Sequence, residues 1–168
     1  YPPRMLELMR KLGRYPRFCV WELTLACNLR CKHCGSHAGQ ARAHELDLTT
    51  CLDLADQLAE LGCEKVTLGG GEPTLWAGWD QLAAHLTSRG VRVNLISNGW
   101  SWSTEQTARA RDAGLANVAF SLDGFEAAHD HVRRPGSFAR VVAALESCAE
   151  AGLAASVITH INQRNKGE

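Results

Sequence analysis

Cys27, Cys31 and Cys34 form a C-x3-C-x2-C run within TLACNLRCKHCG, residues 24–35, directly after an apolar stretch at 18–25. Three thiolates that close must share an electron-deficient centre, pair covalently, or repel one another. A disulfide would use two and strand the third, and disulfides are rare in a chain of cytosolic composition. A metal ion or an iron–sulfur cluster accounts for all three. Three protein ligands also leave one coordination position open, the arrangement of a reactive centre. On the trio alone the metal stays open, because His33 lies between Cys31 and Cys34 and His37 lies three beyond, at spacings a Cys3His zinc site could use. Cys19, Cys51, Cys63 and Cys148 fall elsewhere at wide spacings and are expected to be buried free thiols, since cysteine commonly packs as a small hydrophobe.

The elements that must position this loop alternate. An N-terminal stretch, residues 1–17, carries a lead-in helix at 3–12, opened by Pro3 and ended by Gly13. A strand at 18–26 then enters the cysteine loop. After it the pattern predicts helix 49–61 with Thr49 as its cap, strand 64–69, helix 79–89, strand 91–97, helix 104–113 and strand 117–122. A loop with a short helix follows, then helix 137–151 and a last strand at 154–161. Five strands separated by helices imply an α/β fold with a parallel sheet. Val66, Leu68, Val93, Leu95, Val118, Phe120 and Leu122 share one strand face. Glu22, Thr24, Thr67, Asn94, Asn98, Ser121 and Asp123 share the other. Polar residues along one face suit a barrel interior near its mouth better than a flat sheet covered on both sides.

Composition narrows the function classes. The chain has 168 residues, enough for one domain with a core, and 18 basic residues balance 18 acidic ones. That balance argues against a nucleic-acid partner, and no apolar run is long enough for a membrane span. Cytoplasmic localisation is the expectation. The chain starts with Tyr1 and ends in a polar run, so both ends look cut.

Further motifs fall at strand ends. Gly69, Gly70 and Gly71 follow the second strand and let backbone approach a ligand, offering peptide groups to an ammonium; Glu72 adds a carboxylate and Pro73 follows. A tight turn would also use these glycines. Ser121 and Asp123 end the fourth strand and Asn98 the third. Turn and capping roles are the ordinary alternative for them. The cysteine loop, GGEP, SNG at 97–99 and SLDG at 121–124, in this order, resemble the core of the radical S-adenosylmethionine (radical SAM) superfamily. His33 stands where that family takes an aromatic ring. The resemblance covers residues 18–162 and, in SLDGFEAAHDHVRRPGSFARV, is similar to members that modify peptides with an added C-terminal cluster (SPASM) domain and to cofactor-biosynthesis relatives.

The resemblance implies a partial (β/α)6 TIM-like barrel, truncated after the fifth strand, with 163–168 as a polar tail and the last strand an exposed edge prone to association. It implies an enzyme in which Cys27, Cys31 and Cys34 bind a [4Fe–4S] cluster and S-adenosylmethionine (SAM) takes the open iron. Reductive cleavage to a 5′-deoxyadenosyl radical then abstracts hydrogen from substrate. Gly70, Gly71, Glu72, Pro73, Asn98, Ser121, Asp123 and Arg133 become the cofactor-binding residues, with Glu72 on the ammonium and Arg133, or its neighbour Arg134, on the carboxylate. His160 and Asn162 fall where the family contacts adenine. The implied partners are an electron donor such as flavodoxin or ferredoxin and a peptide or small-molecule substrate. The rival classes are an iron–sulfur electron-transfer or sensor protein without SAM cleavage and a zinc-stabilised interaction domain. Neither has a use for Gly70, Gly71, Glu72 and Ser121.

Overall fold

Apolar residues alternate along each strand, and the alternation decides which side of the sheet the helices cover. The structure is a computed structural model and describes residues 3–13 and 15–168. Strands β1 (Phe18–Thr24), β2 (Lys65–Gly70), β3 (Arg92–Ser97), β4 (Asn117–Ser121) and β5 (Ala155–Ile158) form one sheet in chain order. Every neighbouring pair is parallel. Helices α1 (Pro3–Lys11), α2 (Leu48–Glu60), α3 (Trp79–Ser88), α4 (Thr104–Asp112), α5 (Glu126–Val132) and α6 (Ser137–Glu150) complete the chain. The outer strands are β1 and β5, so the sheet is open, as in the partial barrel that the resemblance implies.

The expected inner face of the core is closed. Val66, Leu68, Val93, Leu95, Val118 and Phe120 are all at most 1% exposed. They pack with Ala55 of α2, Leu82 and Leu86 of α3, and Val141 and Ala144 of α6. Burying each such Leu, Val or Phe side chain stabilises the fold by about 1.5–3 kcal/mol. Leu122 sits at the margin of this cluster and is half-buried. Across the sheet Thr67, Asn94 and Ser121 stay partly open, whereas Val20 on the β1 edge and all of β5 are exposed.

Most boundaries fall within a residue or two of expectation, and at three of those that differ a side chain intercepts a backbone group. β1 stops at Thr24: its register against β2 shifts between Glu22 and Thr24, and the next amide, Leu25, donates to Glu45 instead. Asp47, not Thr49, caps α2, accepting from Thr50 N–H at 2.8 Å, so the helix starts at Leu48. β5 ends at Ile158, because His160 N–H turns to Asp123 Oδ1. Residues 163–168, expected as a tail, fold back in turns, with Asn165 buried and donating to the carbonyls of Asp123 and His160. No helix among the described residues is long and apolar enough to cross a membrane.

Candidate functional site

The cysteine loop is tied at its stem before any ligand is considered. Cys27 N–H donates to Gly39 O and Gly39 N–H to Leu25 O, so the chain leaving the loop pairs with the chain entering it. The end of β2 then presses on this stem: Gly71 N–H donates to Thr24 O at 2.7 Å and Glu72 N–H to Ala26 O at 2.8 Å. A side chain at Gly71 would meet Ala26 O at 2.3 Å. At Gly70, where φ is +138°, it would meet Thr24 O at the same distance. The glycines therefore permit a close backbone crossing beneath the cysteines, in addition to whatever room they leave for a ligand.

Cys27, Cys31 and Cys34 line one cavity of about 390 Å3, together with Gly70, Gly71, Asn98, Ser121 and Arg133. Each sulfur has donors aimed at it. Leu29 N–H and Asn98 Nδ2 reach Cys27 Sγ at 3.4 and 3.6 Å, Arg133 Nη1 stands 3.9 Å from Cys31 Sγ, and Ala38 N–H lies 3.4 Å from Cys34 Sγ. Such donors favour a thiolate over a thiol. Burial pushes the free Cys27 and Cys31 thiols up, opposed at Cys27 by the Leu29 and Asn98 donors and at Cys31 by the Arg133 cation. No three metal-ligating side chains among the described residues stand close enough to grip a single ion. The three cysteines nevertheless share one cavity and feel one another's charge.

Two acidic residues expected at the cavity wall are buried behind it. Glu72 is 1% exposed and its carboxylate accepts from Ser97 Oγ (3.0 Å), Asn98 N–H (2.8 Å), Thr74 Oγ1 (2.7 Å) and Thr74 N–H (3.3 Å). Burial raises its pKa against the pull of these donors. Pro73, also buried, opens the 3-10 turn at Pro73–Leu75. Asp123 is 0% exposed and accepts from Arg133 Nε at 2.7 Å and His160 N–H at 2.8 Å. Its burial would raise its pKa, but these donors hold it below the usual carboxylate range. Glu72 thus reaches the cavity through Asn98, and Asp123 through Arg133.

Around Asp123 stand three histidines. His33 Nε2 is 3.2 Å from Asp123 Oδ2, and its ring lies 4.6 Å from that of His160. Burial lowers the His33 pKa, and Arg133 and His160 lower it further against Asp123. His129, fully buried, accepts Asp123 N–H on Nδ1 at 3.0 Å, which places its own proton on Nε2. Asn162 bonds within its own turn and away from the cavity. Arg134 lies over the Trp100 ring at 3.9 Å and leaves the cavity to Arg133. Cys51, Cys63 and Cys148 are buried free thiols, and Cys19 packs partly buried against the core.

Sequence reasoning missed Glu45, whose carboxylate accepts from Thr24 Oγ1, Leu25 N–H and Arg42 N–H at 2.9 Å each and so fixes the loop's entry. It also missed Asn28, which accepts Asn98 Nδ2 at 2.8 Å. Neither belongs to a periodic or spaced pattern. Only their nearness to the cysteine run could have flagged them.

Residues 21–168 match the family described as the Radical SAM superfamily. The chain is 38% identical over 168 residues to the mycofactocin maturase MftC of Mycobacterium ulcerans, covering 99% of this chain and 46% of that protein. It is 35% identical over 156 residues to an AdoMet-dependent heme synthase of Methanosarcina barkeri, covering 91% and 45%. In fold it is similar to Streptococcus suis SuiB bound to S-adenosylmethionine, with a TM-score of 0.81 at 16% identity, over 94% of this chain and 37% of that one. The chain spans about half the length of the curated relatives it matches.

Proposed function

Because the chain belongs to the Radical SAM superfamily, we propose that it is the core of an enzyme that cleaves S-adenosylmethionine reductively, with Cys27, Cys31 and Cys34 holding a [4Fe–4S] cluster. The observation that carries the reading is the single cavity in which three donor-supported cysteine sulfurs face two glycine peptides, Asn98, Ser121 and an arginine. When bound, the cluster and S-adenosylmethionine supply the electron and the sulfonium from which a 5′-deoxyadenosyl radical is made. The chain's own residues bind and orient. Gly70 and Gly71 offer peptide groups at the wall, Ser121 a hydroxyl, and Arg133 a cation fixed by Asp123. Glu72 acts at one remove, holding the Asn98 amide while the Asn98 side chain donates to Cys27.

A peptide is the proposed substrate class. SuiB has also been solved bound to its precursor peptide SuiA, and a maturase stands among the relatives. A small molecule, as for the heme synthase, is the other class. A flavodoxin or ferredoxin is the proposed electron donor, and the cytoplasm the proposed location. The test is anaerobic reconstitution with iron and sulfide. About four irons per chain and release of 5′-deoxyadenosine on adding dithionite and S-adenosylmethionine are expected. Cluster binding without that product would leave an electron-transfer protein instead.

A further inference from the structure

Three consecutive glycines close β2, and the fold accounts for only two of them. Gly70 and Gly71 lie where a side chain would strike the backbone of Thr24 and Ala26. Gly69 has no such neighbour. A Cβ there would meet nothing within 4 Å, and its φ lies outside the left-handed range that favours glycine. Glycine inside a strand weakens the strand and often marks the close approach of a ligand. Nothing in the chain's own packing needs Gly69 bare, and Gly69 lines the cavity that the three cysteines share.

The space over Gly69 is bounded on two sides. Glu22 of β1 stands in register with Gly69, and Ile96 of β3 falls on its other side where the Leu68–Leu95 register continues. Both line the same cavity. Along their strands Gly69 and Ile96 lie two residues, about 6–7 Å, short of Gly71 and Asn98, which stand beside the cysteines. Glu22 is held in place: Arg42 Nη2 donates to its Oε1, while the Arg42 N–H is tied to Glu45. The other oxygen, Oε2, receives only Ser36 Oγ at 3.4 Å and keeps acceptor capacity for a ligand. Because Arg42 already balances the carboxylate charge, the donor that suits Oε2 is a neutral N–H rather than a second cation.

We propose that this hollow is a substrate subsite, in which a peptide N–H donates to Glu22 Oε2 and the adjoining side chain fills the space over Gly69 against Ile96. The proposal deepens the reading above and rests on its peptide substrate. Glu22 is the anchor, and Gly69 is the residue that sets how large a side chain enters. S-adenosylmethionine, held at the cysteine end, has no need of this space.

The test measures binding of three capped dipeptides, N-acetyl-glycyl-alaninamide and its valine and leucine counterparts. Saturation-transfer NMR reads it on the reconstituted protein with S-adenosylmethionine bound. The parent should bind all three. Glu22→Gln should weaken all three roughly tenfold or more, the loss of a charge-assisted hydrogen bond. Gly69→Ala should weaken the leucine peptide roughly tenfold and spare the alanine peptide, since one added methyl acts as a size filter. Its urea midpoint should equal or exceed the parent's, because alanine fits the backbone there and restricts the unfolded chain. Affinity for S-adenosylmethionine, from calorimetry, should stay within about twofold of the parent in both variants. If Glu22→Gln misfolds, the Gly69→Ala series decides. The proposal falls if no peptide binds the parent, if the variants leave the series unchanged, or if Gly69→Ala lowers the urea midpoint. It also falls if affinity for S-adenosylmethionine drops along with the peptides, which would assign the hollow to the cofactor. Failure of the underlying reading shows separately, as missing cluster absorbance or missing 5′-deoxyadenosine before any peptide is added, and would overturn both.

Discussion

On its helix-covered face the sheet is closed by shape: Val66, Leu68, Leu95 and Phe120 meet the apolar sides of α2, α3 and α6. At the strand ends, a few residues further along the same strands, closure is directional. Glu72 takes four donors from Thr74, Ser97 and Asn98, Glu45 takes three around the loop entry, and Asp123 takes Arg133 and His160. Shape tolerates a swap of similar volume, whereas a bonded brace tolerates none. The difference teaches where function is exposed to mutation. A core change acts on stability alone, but a change at the braces also moves groups that face the cysteines.

The largest expected effect is at a brace. Glu72→Ala strips partners from Ser97 Oγ, Asn98 N–H and Thr74 and should cost about 4 kcal/mol of unfolding free energy, read from urea denaturation. Leu68→Ala, on the apolar face, should cost about 3 kcal/mol in the same assay. The comparison sharpens if the Leu68 variant still takes up iron as the parent does while the Glu72 variant does not. It breaks if the two lose iron in step with stability.

Asn98→Ala should cost no more than about 1.5 kcal/mol, yet it removes the amide that donates to Cys27 Sγ. Donors to a cluster ligand stabilise the more negative, reduced form, so the midpoint potential should fall. A potentiometric titration without S-adenosylmethionine reads this directly. An unchanged midpoint would reduce Asn98 to a turn residue.

The smallest effect is expected at Asp130, which caps α6 from outside the helix. Slight burial pulls its pKa up, but the Phe138 and Gly136 amides outweigh it and hold the folded value below the ordinary one. The sign follows from that depression. Its contribution is complete above the unfolded pKa of about 3.9 and is lost as pH falls through the lower folded value. Asp130→Ala should therefore lose about 1 kcal/mol near neutrality, and the gap from the parent should close in acid.

The apolar face was legible because its signal is periodic. Alternating Val, Leu and Phe in three short runs separated by helical spacing leaves little choice but a parallel sheet, and the glycines and cysteines that break the pattern mark its working end. The cysteine run was legible because spacing alone says three thiols must meet. What stayed hidden was direction. A Glu after three glycines at a strand end reads as a wall residue, and only the fold shows that its side chain turns inward to Ser97 and Asn98. The same applies to Asp123, whose partner Arg133 lies ten residues on across α5, and to Glu45, which belongs to no pattern. Pairings made by folding leave no spacing to read.

The account's central claim is that three cysteines and the facing cavity form one working centre. Electron paramagnetic resonance of the reconstituted, dithionite-reduced protein, recorded with and without S-adenosylmethionine, tests it most directly. The claim predicts a [4Fe–4S] signal that changes shape when S-adenosylmethionine is added and is absent from the Cys27→Ala, Cys31→Ala and Cys34→Ala variants, while Cys51→Ala and Cys148→Ala keep it. A colourless protein that binds zinc, or a cluster signal indifferent to S-adenosylmethionine, would contradict it.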